Sequence, residues 1–148
     1  MFKRSFQVLA VMAIAAVTVV AGEIKLDGVS CVVASRDAQM SKSAEYKDAK
    51  VFFCCGGCAG KFAKSPEKYT EQANRQLVET GQYEQKACPI SGAPLSGNNE
   101  TVVADVKVGF CCGKCEAKVE GADEKKQLVL VFGEEAFEKA FEKAESEE

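Results

Sequence analysis

The chain has 148 residues, 47% of them hydrophobic and 28% charged, with 19 basic and 22 acidic side chains for a net charge of −3. This is globular composition, and the length allows one ordinary domain or two very small ones. The sequence contains no histidine, which excludes Cys/His zinc fingers, HExxH proteases, zinc deaminases, Ser-His-Asp and Cys-His nucleophiles and imidazole-held haem. Its mild acidity and lack of a basic cluster argue against nucleic acid as a partner. Eight cysteines remain, and they leave thiolate chemistry of three kinds open: metal binding, disulfides or redox exchange.

At the N-terminus, Lys3 and Arg4 precede an apolar run from Phe6 to Ala21 that only Gln7 and Thr18 interrupt. Small or modest residues, Val19-Val20-Ala21, close the run, and the polar Glu23-Ile24-Lys25 follows. This pattern predicts a secretory signal peptide over residues 1–21 with cleavage near Ala21. The run falls short of the roughly 20 residues that span a bilayer, so no stable membrane anchor is expected after cleavage. The first cysteine is Cys31, too far from the cleavage site for a lipoprotein anchor. The expected product is a secreted or periplasmic protein whose net charge has gone from −3 to −5 with the loss of Lys3 and Arg4.

The cysteines stand at 31, 54, 55 and 58 and again at 88, 111, 112 and 115, a constant offset of 57. The same offset superimposes Asp48 on Asp105, Lys50 on Lys107, Val51 on Val108, Phe53 on Phe110, Gly56 on Gly113 and Lys61 on Lys118, giving ten identities over the 31 positions from Cys31 to Lys61. The chain is therefore read as two copies of one unit: residues 24–74, a connector over 75–85, and residues 86–148. In the first copy, Tyr46 to Phe53 predicts a hairpin turning near Asp48, followed by a short helix from Cys58 to Lys64. Ser65-Pro66-Glu67 then caps and starts a second helix running through Tyr69 and Ala73. The second copy repeats the hairpin as Thr101–Ala104, a turn at Asp105, and Lys107–Phe110, with a short helix from Cys115 to Val119. After it, Gln127–Phe132 reads as a strand that Gly133 breaks, and Glu134–Glu147 as an amphipathic helix with Ala136, Phe137, Ala140, Phe141 and Ala144 on its apolar face. Phe53 and Phe110 are expected in the core, and Met40 is expected to be a spectator in a polar loop.

A strand that ends in one cysteine, followed by a helix that begins with another four residues on, places two sulfurs at a helix N-terminus. The orphan N–H groups there favour thiolate. A third sulfur comes from the turn at Cys31 or Cys88, returned by the hairpin. Two knuckle-and-helix edges of this kind are the ligand arrangement of a treble-clef-type finger. The segments Cys88-Pro89-Ile90-Ser91-Gly92 and Val108-Gly109-Phe110-Cys111-Cys112-Gly113-Lys114-Cys115 resemble the YHS/TRASH group of small treble-clef-like domains. The resemblance covers roughly residues 24–70 and 86–120. It implies a module for heavy-metal trafficking, resistance or sensing, of a kind found attached to copper-transporting ATPases. The pattern is also similar to a ribosomal-protein zinc finger, whose second knuckle cysteine would fall at Ala34 and Ser91. The histidine in the YHS name is absent.

Together these readings give an α+β fold of two small tandem treble-clef-like lobes, each a β-hairpin followed by a short helix, with a C-terminal strand and amphipathic helix. The candidate ligands are Cys31, Cys54, Cys55 and Cys58 in one copy and Cys88, Cys111, Cys112 and Cys115 in the other, for about two Zn(II) or Cu(I) ions per chain. Cys31, Cys54 and Cys58, with Cys88, Cys111 and Cys115, match the spacing of a distant cysteine plus Cys-x3-Cys. Cys55 and Cys112 continue a strand by one residue, so their side chains are expected to leave by the opposite face. A metal-transport or resistance protein is the partner such a module implies, and no enzyme activity is expected. Two alternatives stay open: a disulfide-stapled interaction module, and a thiol–disulfide oxidoreductase built on Cys55-Gly56-Gly57-Cys58 and Cys112-Gly113-Lys114-Cys115.

Overall fold

Each copy begins with a hairpin whose turn is set by backbone geometry. In the computed structural model, which describes residues 23–145, β1 (Gln39–Tyr46) pairs antiparallel with β2 (Ala49–Phe53), and β4 (Asn99–Val103) with β5 (Val106–Phe110). The signal peptide expected over 1–21 lies outside the described residues. Both turns have two central residues at positive φ, Lys47 (49°) and Asp48 (57°) in one and Ala104 (47°) and Asp105 (67°) in the other. That is the turn type whose twist matches the right-handed twist of paired strands. On β5, Val106, Val108 and Phe110 point inward while Lys107 is exposed, the period-two alternation of a half-buried strand. On β2, Val51, Phe52 and Phe53 are all buried because both faces are covered: Val51 and Phe53 join the main core, and Phe52 joins a small cluster with Val29 and Ala38. Met40 is exposed, but it lies on β1 rather than in a loop.

Both hairpins run into helices at glycine, α1 (Gly56–Lys64) and α3 (Gly113–Glu120). After α1, Ser65-Pro66 opens a 3-10 turn (Pro66–Tyr69) that passes into α2 (Thr70–Glu79). The stretch that joins the copies is thus structured, by the end of α2 and by β3 (Tyr83–Gln85).

Two expectations for the C-terminal part are corrected. Residues 127–132 are not a strand but the body of α4 (Glu124–Phe132). The Asp123 carboxylate caps this helix by accepting the Lys126 amide at 3.0 Å, and a short apolar run alone does not distinguish a buried helix from a strand. The following helix also stops early. α5 spans Glu134–Ala140, and Phe141–Lys143 forms β6, antiparallel to β3 with Gln85 opposite Phe141. Strand pairing overrides helix propensity here without exposing the aromatic face: Phe141 stays buried, its ring 5.1 Å from that of Phe137 and 5.8 Å from that of Phe132.

The fold is α+β, and its two copies share one core. Val51, Phe53 and Phe62 of the first copy lie in the same apolar cluster as Val108, Phe110 and Phe132 of the second. The second helices of the two copies, α2 and α4, pack on each other. Polar side chains of α2 lock this junction: Asn74 Nδ2 donates to the Phe132 carbonyl at 2.8 Å, and Arg75 Nη1 to the Ala104 carbonyl at 3.0 Å while its other nitrogen pairs with Glu79 at 3.3 Å. Among the described residues no helix is long and apolar enough to cross a membrane.

Candidate metal centres

Three segments of each copy converge on one point. The first is a tight loop holding Cys31 or Cys88, closed by the same hydrogen bond in both copies: the Cys31 amide donates to Arg36 O at 2.7 Å, and the Cys88 amide to Ala93 O at 2.9 Å. The second is the end of the inner strand, where Cys54 and Cys111 follow the buried Phe53 and Phe110. The third is the first turn of α1 or α3, which carries Cys58 or Cys115. As a result, the sulfurs of Cys31, Cys54 and Cys58 all lie within 4.8 Å of one another, and so do those of Cys88, Cys111 and Cys115. The Cys54–Cys58 separation is 3.7 Å and the Cys111–Cys115 separation 3.6 Å.

Those distances match ligand spacing. A disulfide requires about 2.05 Å, whereas Zn–S bonds of about 2.3 Å at a tetrahedral angle put sulfurs about 3.8 Å apart. None of the eight cysteines is joined to another in a disulfide in this structure. The donor chemistry also fits, because clustered thiolates suit Zn(II) and soft ions such as Cu(I).

The adjacent cysteines take a different position. Cys55 and Cys112 are the extended N-cap residues of α1 and α3, with φ,ψ of −160°,165° and −164°,164°. Both residues are exposed and fall outside the triads, but their sulfurs do not leave by the opposite face as expected. Cys55 hydrogen-bonds the sulfurs of Cys54 and Cys58, and Cys112 those of Cys111 and Cys115. They remain neighbours of the sites, since Cys112 Sγ is 3.8 Å from Cys111 Sγ.

Crowding three thiols at one point separates their acidities. At Cys31, burial opposes ionisation, but the amides of Cys54, Val33 and Ala34 outweigh it and hold the thiol below its ordinary value. Cys88 is buried too, yet the Ser91 hydroxyl and the amides of Cys111, Ser91 and Ile90 bring it down to about 6. Their partners move the other way. Hydrogen bonding to Cys55, then burial, pushes Cys58 up to about 12, and burial with hydrogen bonding to Cys111 and Cys88 does the same at Cys115. Three negative charges cannot share this volume unaided; a cation among them removes the repulsion and displaces the remaining protons.

Sequence reasoning missed the groups that hold the ligand-bearing segments together. Gln76 on α2 is fully buried. Its Oε1 accepts the Phe52 amide at 2.6 Å, while Nε2 donates to Phe52 O at 3.0 Å and to Ser30 O at 2.8 Å. One amide thus joins β2 to the residue before Cys31. In the second copy Gln85, on β3, does the same work. It accepts the Gly109 amide at 2.8 Å and donates to Gly109 O at 2.8 Å and to Ala87 O at 2.9 Å, Ala87 being the residue before Cys88. Ser30 and Ala87, like Phe52 and Gly109, are repeat equivalents, but the two glutamines are not, so no repeat signal marked them.

No family model, no curated protein and no solved structure matches the chain.

Proposed function

We propose that this chain is an exported metal-binding protein that ligates Zn(II) or Cu(I) through cysteine thiolates, one ion per repeat. In this reading it serves as a carrier, buffer or sink in heavy-metal trafficking or resistance, as a tandem YHS/TRASH-like module, and not as a catalyst. The observation that carries the proposal is the recurrence, 57 residues apart, of three sulfurs within 4.8 Å of one another. Sulfur separations of 3.7 and 3.6 Å and the absence of histidine from the sequence support an all-thiolate site, which is closed and holds its ion rather than activating water. The N-terminal signal pattern supports export, and delivery to a metal-transport or resistance protein is the partner relation this chemistry suits.

The test is titration of the reduced protein with Zn(II) and with Cu(I). Saturation near two equivalents with release of protons is expected. A Cys54→Ser variant that binds as well as the parent while Cys55→Ser binds nothing would move the site to the Cys-x-x-Cys pair.

A further inference from the structure

The two centres share a sulfur frame but differ at one corner. At the position where the similar ribosomal finger has its second knuckle cysteine, the first copy has Ala34 and the second Ser91. The Ser91 hydroxyl faces the second triad: its oxygen is 3.2 Å from Cys111 Sγ and also hydrogen-bonds Cys88. A hydroxyl oxygen has two lone pairs. The Ala93 amide occupies one at 3.2 Å; the hydroxyl proton serves Cys88, which leaves one lone pair of the oxygen without a partner. A tetrahedron with Zn–O and Zn–S bonds of about 2.0 and 2.3 Å has an O–S edge of about 3.5 Å, close to the observed separation. Glu116, the residue after Cys115, is engaged by Asn99 Nδ2 at 2.8 Å and is not part of the cluster. At the first centre Ala34 presents only a methyl group; the amide bond from Val33 to Cys31 Sγ at 3.4 Å has its counterpart from Ile90 to Cys88, so the hydroxyl is what the first centre lacks.

We propose that the two centres are selective for different ions. The second holds a divalent tetrahedral ion of the Zn(II) type on Cys88, Cys111, Cys115 and the Ser91 hydroxyl. The first, with Ala34 in place of that hydroxyl and the exposed Cys55 beside its triad but outside it, holds a monovalent soft ion of the Cu(I) type on three thiolates, a number that satisfies copper and leaves zinc a ligand short. The inference rests on the metal-binding reading above and assigns an ion class to each of its sites.

The experiment titrates the reduced protein and its Ser91→Ala and Ala34→Ser variants with Zn(II) and, separately, with Cu(I). The parent is expected to bind one Zn(II) tightly and the second about tenfold or more weakly, the scale on which a single group beside a metal tunes affinity. Ser91→Ala weakens the tight Zn(II) site by a similar factor and leaves Cu(I) binding unchanged. Ala34→Ser strengthens the weak Zn(II) site, a gain that a folding defect cannot imitate. Uptake of two Zn(II) with equal affinity, or a Ser91→Ala protein that binds Zn(II) as the parent does, overturns the selectivity and leaves the metal-binding reading standing. No uptake of either metal overturns both.

Discussion

The first triad contains a buried Cys58 and has Ala34 three residues after Cys31; the second contains a half-buried Cys115 and has Ser91 at the equivalent place. Both triads hang on the same loop, strand end and helix start, and both have an amide stitching loop to strand. Yet that amide belongs to α2 in one copy and to β3 in the other. The comparison teaches that the sulfur geometry can be retained while its supports and its fourth corner differ. A duplicated site is constrained where it forms the ligand frame and free where another part of the chain can supply an equivalent hydrogen bond.

The largest effects should separate the two copies outright. Cys31→Ser is expected to remove the first site and Cys88→Ser the second, each lowering the metal stoichiometry from two to one in a titration. Loss of both ions from either variant would mean that the sites are not independent.

The shared core makes the opposite prediction for stability. Phe53 and Phe110 are both fully buried in one cluster, so truncating either to alanine should cost roughly 3–5 kcal/mol. Chemical denaturation should show the whole protein unfolding in a single shifted transition. Two separate transitions, only one of which moves, would instead show that each copy keeps its own core.

The stitching glutamines should differ in weight. Gln76→Ala leaves the buried Phe52 amide without its partner and should cost roughly 1–3 kcal/mol, measured by the same denaturation. Gln85 is only partly buried, water can replace part of its bonding, and Gln85→Ala should cost less. Equal losses would show that burial does not set their contribution.

The smallest effect is at the hairpin turns, where Ala104 sits at φ 47°. An alanine there carries a left-handed penalty that glycine avoids, so Ala104→Gly should stabilise the metal-free protein by up to about 1 kcal/mol, seen as a rise in Tm.

Much of the site could be read from the cysteine spacing. A strand ending in Cys54 and a helix start at Cys58 bring two sulfurs together because a turn separates them, and the hairpin returns Cys31 to the same place. The extended backbone of Cys55 and Cys112 and their place outside the triads were legible in that spacing. The opposite-face direction was not, because their sulfurs turn back to hydrogen-bond those of the sites. The C-terminal elements were not read correctly, because Leu128 to Phe132 is apolar on every side and a buried helix and a buried strand look alike in such a run. One signal was present: Gln76-Leu77-Val78, inside α2, recurs as Gln127-Leu128-Val129 inside α4. This relates the second helices at an offset different from that of the cysteines. The end of α5 and the roles of Gln76 and Gln85 depend on contacts between distant segments, β6 with β3 and α2 or β3 with the inner strands. No local pattern encodes those contacts.

The central claim is that each triad holds one ion, and native mass spectrometry of the protein isolated from its own compartment tests it most directly, since one mass reports bound metal and oxidation state together. The account predicts a chain carrying two metal ions, with all eight cysteines reduced and Cys55 and Cys112 alone open to alkylation while the ions are bound. A metal-free chain lighter by the eight hydrogens of four disulfides, which takes up no metal, would contradict it.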